Sequence, residues 1–337
     1  MLTLGVGVVD WIESMLAAPD GRGGLVRLSR EQRRFVLRWY EVDESGRRRF
    51  RRALLSRGKG WGRSPMSAFL AAAEALGPVR FSHFEEGVPV GRPWWEERRP
   101  HVQIAAVSEA QTRNAWTVLQ DAIAEGPAGQ LPGVVVGATR IDLPHRGRIE
   151  FVTASSKTLE GARPTFVVLD QTESWLGRQG ERLAAVIRRN AGKVDGTTLE
   201  TPNSYRPGEK SVSEASFKYA AEIASGVAVD DGLFVDDRRA PDDFKLGPDT
   251  TDAEIVDALR FVYGCHAKAP HGCGHDDCPE GWVDLERIVR EIRDIDTPVE
   301  DSEQFYLNRP TSPPGSFISA EVLDRATIGV GFEKETE

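Results

Sequence analysis

Short apolar runs alternate with amphipathic stretches over the first two thirds of the chain, a pattern typical of α/β folds. Strands are predicted at residues 53–55, 101–107, 134–136, 149–153, 165–170 and 197–200. Helices are predicted at residues 66–76, 108–124 and 180–190. The alternation predicts a mostly parallel, doubly wound sheet. Residues 77–100, which contain Pro, Gly and a Trp pair, are predicted to form a loop.

A glycine-rich segment lies between the first strand and the first helix. Its residues are Arg57, Gly58, Lys59, Gly60, Trp61, Gly62, Arg63, Ser64 and Pro65. Backbone amides of such a segment can surround phosphate oxygens, and the helix N-terminus adds partial positive charge. Against the pattern G-x-x-x-x-G-K-[ST], Gly62 and Ser64 match, whereas Arg57 replaces a glycine and Arg63 the lysine. A phosphate-binding loop is predicted, with a simple glycine-rich turn as the alternative.

The predicted strand at residues 165–170 ends in a carboxylate, Asp170. NTPases use one acid for the Mg²⁺ shell and a second to orient or activate water. Asp170 suits the first role, although a strand-end turn residue is the alternative. Gln171 stands at the usual position of the second acid but cannot take a proton, so Glu173 is the other candidate.

Two further segments offer ligand contacts. Thr201, Pro202 and Asn203 follow the strand at residues 197–200 and would lie at the carboxyl edge of the sheet, where they could sense a γ-phosphate. Gln32 follows the predicted N-cap Ser29, and its amide suits an adenine edge. An ordinary Pro-Asn turn and a surface glutamine are the respective alternatives.

In this order the motifs resemble the ATPase half of the large terminase subunit of tailed double-stranded DNA phages, especially phages of actinobacteria. The likeness extends from about residue 28 to about residue 310. It implies a P-loop NTPase of the additional-strand class, which suits the strand at residues 101–107 between the loop and Asp170 in sequence. It also implies that residues 57–64 form the Walker A loop and that Asp170 is the Walker B aspartate. Residues 201–203 would form the coupling motif, and Gln32 would contact adenine. Terminases usually carry glutamate where this chain has Gln171.

The resemblance implies an ATP hydrolase that moves double-stranded DNA into a procapsid. Ser64 and Asp170 would hold Mg²⁺, and Arg63 would contact the phosphates of ATP. Glu173 or the residue at position 171 would orient or activate the attacking water. A neighbouring subunit would supply an arginine, for which the candidates are Arg140, Arg146 and Arg148.

The implied partners are double-stranded DNA, a portal protein, a small terminase subunit and further copies in a ring, with a monomer in isolation as an alternative. The implied location is the host cytoplasm and, transiently, the procapsid portal. Two other functions remain: a helicase-like DNA-stimulated ATPase, and a nucleotide-binding module whose catalysis is impaired by Arg63 and Gln171.

Composition narrows the choice of partners. The net charge of −9 over 337 residues argues against a protein that coats nucleic acid, but it permits a local basic face. Residues 47–52 carry five arginines and are such a face or, alternatively, a solvated hairpin edge. Because the chain has no apolar run of membrane-spanning length, no membrane partner is expected.

The composition changes after about residue 226, where acidic pairs appear. We predict an ATPase core with an N-terminal adenine-binding segment at residues 1–226, and a small helical lid or linker subdomain at 227–337. Large terminases usually continue into a nuclease domain. We expect that domain to be absent here, the chain to be a shortened form, and no nuclease activity.

All 3 cysteines and half of the 6 histidines fall within residues 265–278. Clustered Cys and His in an intracellular protein more often bind zinc than form disulfides. The predicted ligands are Cys265, Cys273, Cys278 and one histidine, with His275 or His271 ahead of His266. A metal-free loop is the alternative, because the spacing is not a C-x-x-C pair.

Overall fold

The computed structural model describes residues 1–21, 23–107, 109–153 and 161–311. Its strands are β1 Arg52–Ser56, β2 Arg80–Glu85, β3 Val88–Arg92, β4 His101–Ala106, β5 Val135–Val136, β6 Arg140–Leu143, β7 Gly147–Thr153, β8 Phe166–Asp170, β9 Thr197–Thr201 and β10 Leu233–Asp237. Its helices are α1 Gly5–Met15, α2 Arg30–Trp39, α3 Arg63–Leu76, α4 Glu109–Ala124, α5 Gly177–Gly192, α6 Val212–Ala224, α7 Asp252–Tyr263, α8 Leu285–Arg293 and α9 Val299–Asp301.

Eight of these strands form one sheet in the order β10-β1-β9-β8-β4-β7-β6-β5. Neighbours from β10 to β7 run parallel, whereas β6 and β5 are antiparallel additions at one edge. The predicted α/β class is therefore confirmed. The strand inserted between β1 and β8 is β9, because β4 (the predicted strand at 101–107) lies on the outer side of β8.

Both faces of the sheet are covered, as β8 illustrates. Phe166 and Val168 point into a large apolar core with α1 to α4, whereas Val167 and Leu169 pack with residues of α5 on the opposite face. Successive side chains of a strand point to opposite faces, so a strand buried on both sides reads as a continuous apolar run. Such a run was visible in the sequence for this strand.

Residues 77–100 are not the predicted loop, because β2 and β3 form an antiparallel hairpin there. Its turn is made by Glu86 and Gly87, both at positive φ (48° and 81°), as a two-residue hairpin turn requires. The side chains of β2 and β3 are mostly half-buried or exposed. Because this hairpin buries no complete face, it leaves no apolar alternation in the sequence.

Two of the five arginines of residues 47–52, Arg48 and Arg52, are occupied by internal contacts. Arg48 lies over the Tyr40 ring and 3.5 Å from Glu74, and Arg52 lies 3.4 Å from the buried Glu200. Arg49 and Arg51 face Glu41 and Asp195. The contacts of Arg48 and Arg52 are structural, whereas Arg47, Arg49 and Arg51 remain exposed.

The sheet extends beyond residue 226, because β10 pairs in parallel with β1. The helical segment after it, which contains α7 and α8, packs against the large core through residues such as Ile255, Leu259 and Ile288. A domain boundary placed at the end of the sheet would therefore lie after Asp237 rather than after residue 226. Within the described residues, no helix is long and apolar enough to cross a membrane.

Candidate active site

The glycine-rich segment connects β1 to α3 at the carboxyl edge of the sheet. Gly60 and Gly62 have φ of 88° and 99°, in the left-handed region that glycine adopts without strain. Gly62 is the N-cap of α3, so the amides of Arg63 and Ser64 begin the helix without intrahelical acceptors. Lys59 and Gly60 are exposed. The segment therefore presents free amides and a positive helix end to an anion.

Three groups from the C-terminal part of the chain hold this loop. The Lys59 N–H donates to the Phe305 carbonyl (2.6 Å), and the Tyr263 hydroxyl donates to the Lys59 carbonyl (2.7 Å). The Trp282 indole N–H donates to the Gly60 carbonyl (3.0 Å). These contacts have no local signal in the sequence, because each joins residues roughly two hundred positions apart.

Arg57, at the position of the first glycine of the pattern, points into the protein. Its guanidinium donates to the Ser56 carbonyl (2.8 Å) and to the carbonyl and carboxylate of Asp236 on β10 (both 2.7 Å). It also lies over the Trp61 ring. Because this side chain is fully buried, it ties the loop to β10, and the geometry does not support its predicted contact with a phosphate.

Arg63, at the position of the lysine, reaches the end of β9. Its guanidinium donates to the Thr201 carbonyl (2.8 Å) and to Asn203 Oδ1 (2.6 Å). Asn203 Nδ2 in turn donates to the Arg57 carbonyl (2.9 Å). The loop and residues 201–203 are thus joined from both sides, with Pro202 buried between them.

Asp170 lies at the end of β8, beside the same residues. Its Oδ1 accepts a hydrogen bond from the Thr201 hydroxyl (2.9 Å), whereas its Oδ2 is buried and has no hydrogen-bond partner among the described residues. Burial raises the pKa of Asp170, against the opposing effects of Arg63 and Thr201. The unpartnered oxygen lies where a cation would compensate its charge.

Glu173 is brought back toward the site by a sharp turn. Gln171 has φ of 53°, a 3₁₀ turn spans Thr172–Ser174, and the Trp175 indole donates to the Asp170 carbonyl (2.9 Å). The Glu173 carboxylate accepts the Asn203 N–H, and its Oε2 is buried without a partner among the described residues. Burial raises its pKa to about 7, with Arg63 opposing.

The site has oxygen ligands of the kind that Mg²⁺ prefers. Asp170 Oδ2 is free for a cation, and Ser64 begins α3 with a partly exposed side chain. Carboxylate and hydroxyl oxygens, together with phosphate oxygens, suit the octahedral shell of Mg²⁺. The residues present therefore fit this ion.

The predicted adenine contact, Gln32, is engaged in a capping box at the start of α2. Its Oε1 accepts the Ser29 N–H (2.9 Å), and its own N–H donates to the Ser29 hydroxyl (3.2 Å). The Gln32 side chain is therefore already engaged in holding the start of α2, and its contact with adenine stays a prediction.

The three arginines predicted to act in trans lie on β6, β7 and the turn between them. Arg140 pairs with Asp142, and Arg148 lies 3.2 Å from Glu150. Arg148 is in register with His101, the first residue of β4. Arg146 and Arg148 are thus at the amino edge of the parallel strands, opposite the phosphate loop, and their role in a neighbouring site stays a prediction.

Comparison with known proteins places this geometry in a family context. No family model matches the chain. Among solved structures, the crystal structure of the HK97 bacteriophage large terminase superposes with a TM-score of 0.65 at 18% identity, over 96% of this chain and 58% of that one. The chain has the fold of a phage large terminase. This fold agrees with the α/β class and with the strand order described above.

The curated relatives of the chain come from phages of mycobacteria. The Gene 13 proteins of Mycobacterium phages D29 and L5 are 32% and 31% identical to the chain over 96% and 97% of its length. The chain spans 58% of the length of each relative. The resemblance to terminases of actinobacterial phages that the motifs predicted is therefore confirmed.

Proposed function

We propose that this chain is an ATP hydrolase and the motor part of a terminase that packages double-stranded DNA. One observation carries the proposal: Arg63 of the loop, Asp170 and Glu173 after β8, and residues 201–203 after β9 meet at one edge of the sheet. Three segments far apart in sequence converge on the place where open α/β sheets bind ligands. The terminase fold of the chain supports the same conclusion.

In this proposal each residue has a defined task. The free amides at the start of α3 and the Arg63 guanidinium hold the β- and γ-phosphates. Ser64 and Asp170 hold Mg²⁺, which neutralises charge on the phosphate oxygens when bound. Glu173 takes a proton from the attacking water, a role for which a pKa near 7 is suited.

We further propose that hydrolysis is coupled to DNA movement through Arg63. Arg63 touches both the phosphate site and Asn203, which holds the Arg57 carbonyl. A bound γ-phosphate would compete with Thr201 and Asn203 for the Arg63 guanidinium. The loss of the γ-phosphate on hydrolysis would therefore change the position of residues 201–203. The packaging partners are double-stranded DNA, a portal protein, a small terminase subunit and further copies of the chain, one of which would supply the trans arginine.

The proposal is tested by ATP turnover with and without duplex DNA, measured beside the Ser64→Ala variant. We expect turnover that duplex DNA stimulates, and we expect Ser64→Ala to lose it because the Mg²⁺ ligand is removed. Ser64 is partly exposed, so the variant should keep the melting temperature of the parent. Turnover that ignores DNA would favour a different ATPase, ATP binding without turnover would favour a nucleotide-binding module, and unchanged turnover in Ser64→Ala would remove the loop from the mechanism.

A second prediction concerns nuclease activity. In the part of the chain that the structure describes, the only group of three or more His, Cys, Asp or Glu side chains close enough to share a metal ion is formed by cysteines, so no acidic cluster offers a two-metal nuclease site. We expect no cleavage of supercoiled plasmid by this chain in Mg²⁺ or Mn²⁺. Nicking that copurifies with the chain through successive columns would contradict this prediction.

A further inference from the structure

The segment after α7 gathers the three cysteines of the chain. Cys265 lies in the 3₁₀ turn Gly264–His266 that ends α7, and Cys273 and Cys278 lie in the loop that follows. All three are free thiols, and their Sγ atoms lie within 4.8 Å of one another. Tetrahedral Zn²⁺ with Zn–S bonds of about 2.3 Å separates its sulfurs by roughly 3.8 Å. The cluster is therefore close to the spacing of a zinc site.

Backbone donors already point at two of these sulfurs. The Arg30 N–H, in the first turn of α2, lies 3.4 Å from Cys278 Sγ, and the His275 N–H donates to Cys273. Donors from the main chain suit thiolates, which keep negative charge when they bind a metal. Two of the three cysteines could form a disulfide, but a disulfide would not account for the third thiol at the same place.

The histidine predicted as the fourth ligand is not in the cluster. Among the described residues, no His, Asp or Glu ligand atom lies within 4.8 Å of all three sulfurs. His266 is used elsewhere, because its Nε2 lies 2.7 Å from the Ser29 hydroxyl. The fourth position is left to solvent or to the exposed His275, whose backbone already contacts Cys273.

The cysteine loop carries two aromatic residues onto the phosphate loop. His266 follows Cys265, meets the Trp61 ring edge-on at 4.3 Å and stacks on Trp282 at 4.5 Å. The Trp282 N–H and Val283 N–H both donate to the His266 carbonyl, and the Trp282 indole donates to the Gly60 carbonyl. A methyl group at Gly62 would lie 2.8 Å from the Trp282 ring. The cysteine loop therefore covers one side of the phosphate loop.

We propose that Cys265, Cys273 and Cys278 bind one structural Zn²⁺ that fixes this loop and so holds Trp282 on the phosphate loop. Most of residues 267–284 lie outside regular secondary structure. A loop of this kind gains much of its order from a cross-link between its ends. The zinc would cross-link the turn after α7 to two points of the loop, and Cys278 would stay beside the Arg30 N–H at the start of α2.

Zinc content is the first test. Untagged protein purified without added metal should contain about one zinc per chain by elemental analysis. Cys265→Ser, Cys273→Ser and Cys278→Ser should each lose most of it, whereas His83→Ala, a histidine on β2 outside the loop, should keep it. Retention of zinc in His275→Ala assigns the fourth position to solvent, and its loss assigns that position to His275. Less than a tenth of a zinc per chain in the parent protein overturns the proposal.

The second test uses the unaltered sequence, so that its result does not depend on whether a serine variant folds. Stripping the metal with a chelator should lower the melting temperature by about 5 °C or more, and added Zn²⁺ should restore it. Co²⁺ added to the stripped protein should give a thiolate-to-metal charge-transfer band. An unchanged melting temperature together with no such band would contradict a structural site.

The link to the phosphate loop has its own readout, which does not depend on ATP hydrolysis. Metal removal should increase quenching of tryptophan fluorescence by acrylamide, because Trp282 would leave Gly60 and His266. The increase should be absent in Trp282→Phe that has been stripped in the same way. If both proteins respond equally, the zinc does not position Trp282, and that part of the proposal fails.

Discussion

Glu173→Gln is expected to bind ATP as tightly as the parent protein and to hydrolyse it about 10²-fold more slowly or worse, the scale of losing a general base. The amide keeps the size of the side chain but cannot take a proton from water. Binding is measured with a fluorescent ATP analogue and turnover by phosphate release. Glu181→Gln, on the exposed surface of α5, is the matched control and should behave as the parent does.

The same variant has a pH signature. The pKa of Glu173 is raised from 4.5 to about 7 by burial, so kcat/KM of the parent should rise as the pH increases through about 7, and this step should vanish in Glu173→Gln. A raised pKa in the folded state means that stability falls as the pH increases from about 4.5 to about 7. Above pH 7, Glu173→Gln should therefore melt at a higher temperature than the parent.

Gln171 provides the competing hypothesis. It sits at the usual position of the catalytic glutamate, but its positive φ begins the turn that brings Glu173 beside Arg63 and Asn203. Gln171→Glu is therefore expected to change turnover little. Strong activation of an inactive parent by Gln171→Glu would place catalysis at position 171 and would show that Glu173 is not the base.

The parts of the fold that the sequence predicted are those whose signals are local. The β8 strand is buried on both faces and is apolar up to its last residue, Asp170, and Ser29 caps α2 as predicted. The hairpin of β2 and β3 is half-exposed, so its pattern was weak. The helix α1 was missed because its valine-rich sequence suits a strand as well as a helix.

The candidate site was predictable as a set of motifs but not as a set of contacts. Arg63 and Thr201 are 138 positions apart and meet only because β9 is inserted between β1 and β8. Strand order is a property of the whole sheet, which no single motif encodes. The same reason explains why Arg57 was assigned to phosphate, whereas the structure pairs it with Asp236 of β10.

Arg63 gives the second large effect, and here the structure changes the expectation drawn from sequence. Arg63→Ala removes the charge that faces the phosphates and should reduce turnover by about 10³-fold, comparable with the loss of an arginine or an oxyanion donor in other sites. From the sequence pattern alone, Arg63→Lys restores the standard residue and should keep or raise activity. In the structure the guanidinium makes two contacts at once, to the Thr201 carbonyl and to Asn203 Oδ1.

A lysine ammonium is a point charge and cannot reproduce this planar, two-pronged contact. We therefore expect Arg63→Lys to retain ATP binding, to lose about tenfold in turnover, corresponding to about 1.4 kcal/mol, and to lose most of its stimulation by DNA, because the link to Asn203 is weakened. Arg34→Lys, at an exposed position on α2, is the matched control for the same chemical change. Full turnover and full DNA stimulation in Arg63→Lys would mean that position 63 acts through its charge alone, and that residues 201–203 sense the nucleotide by another route.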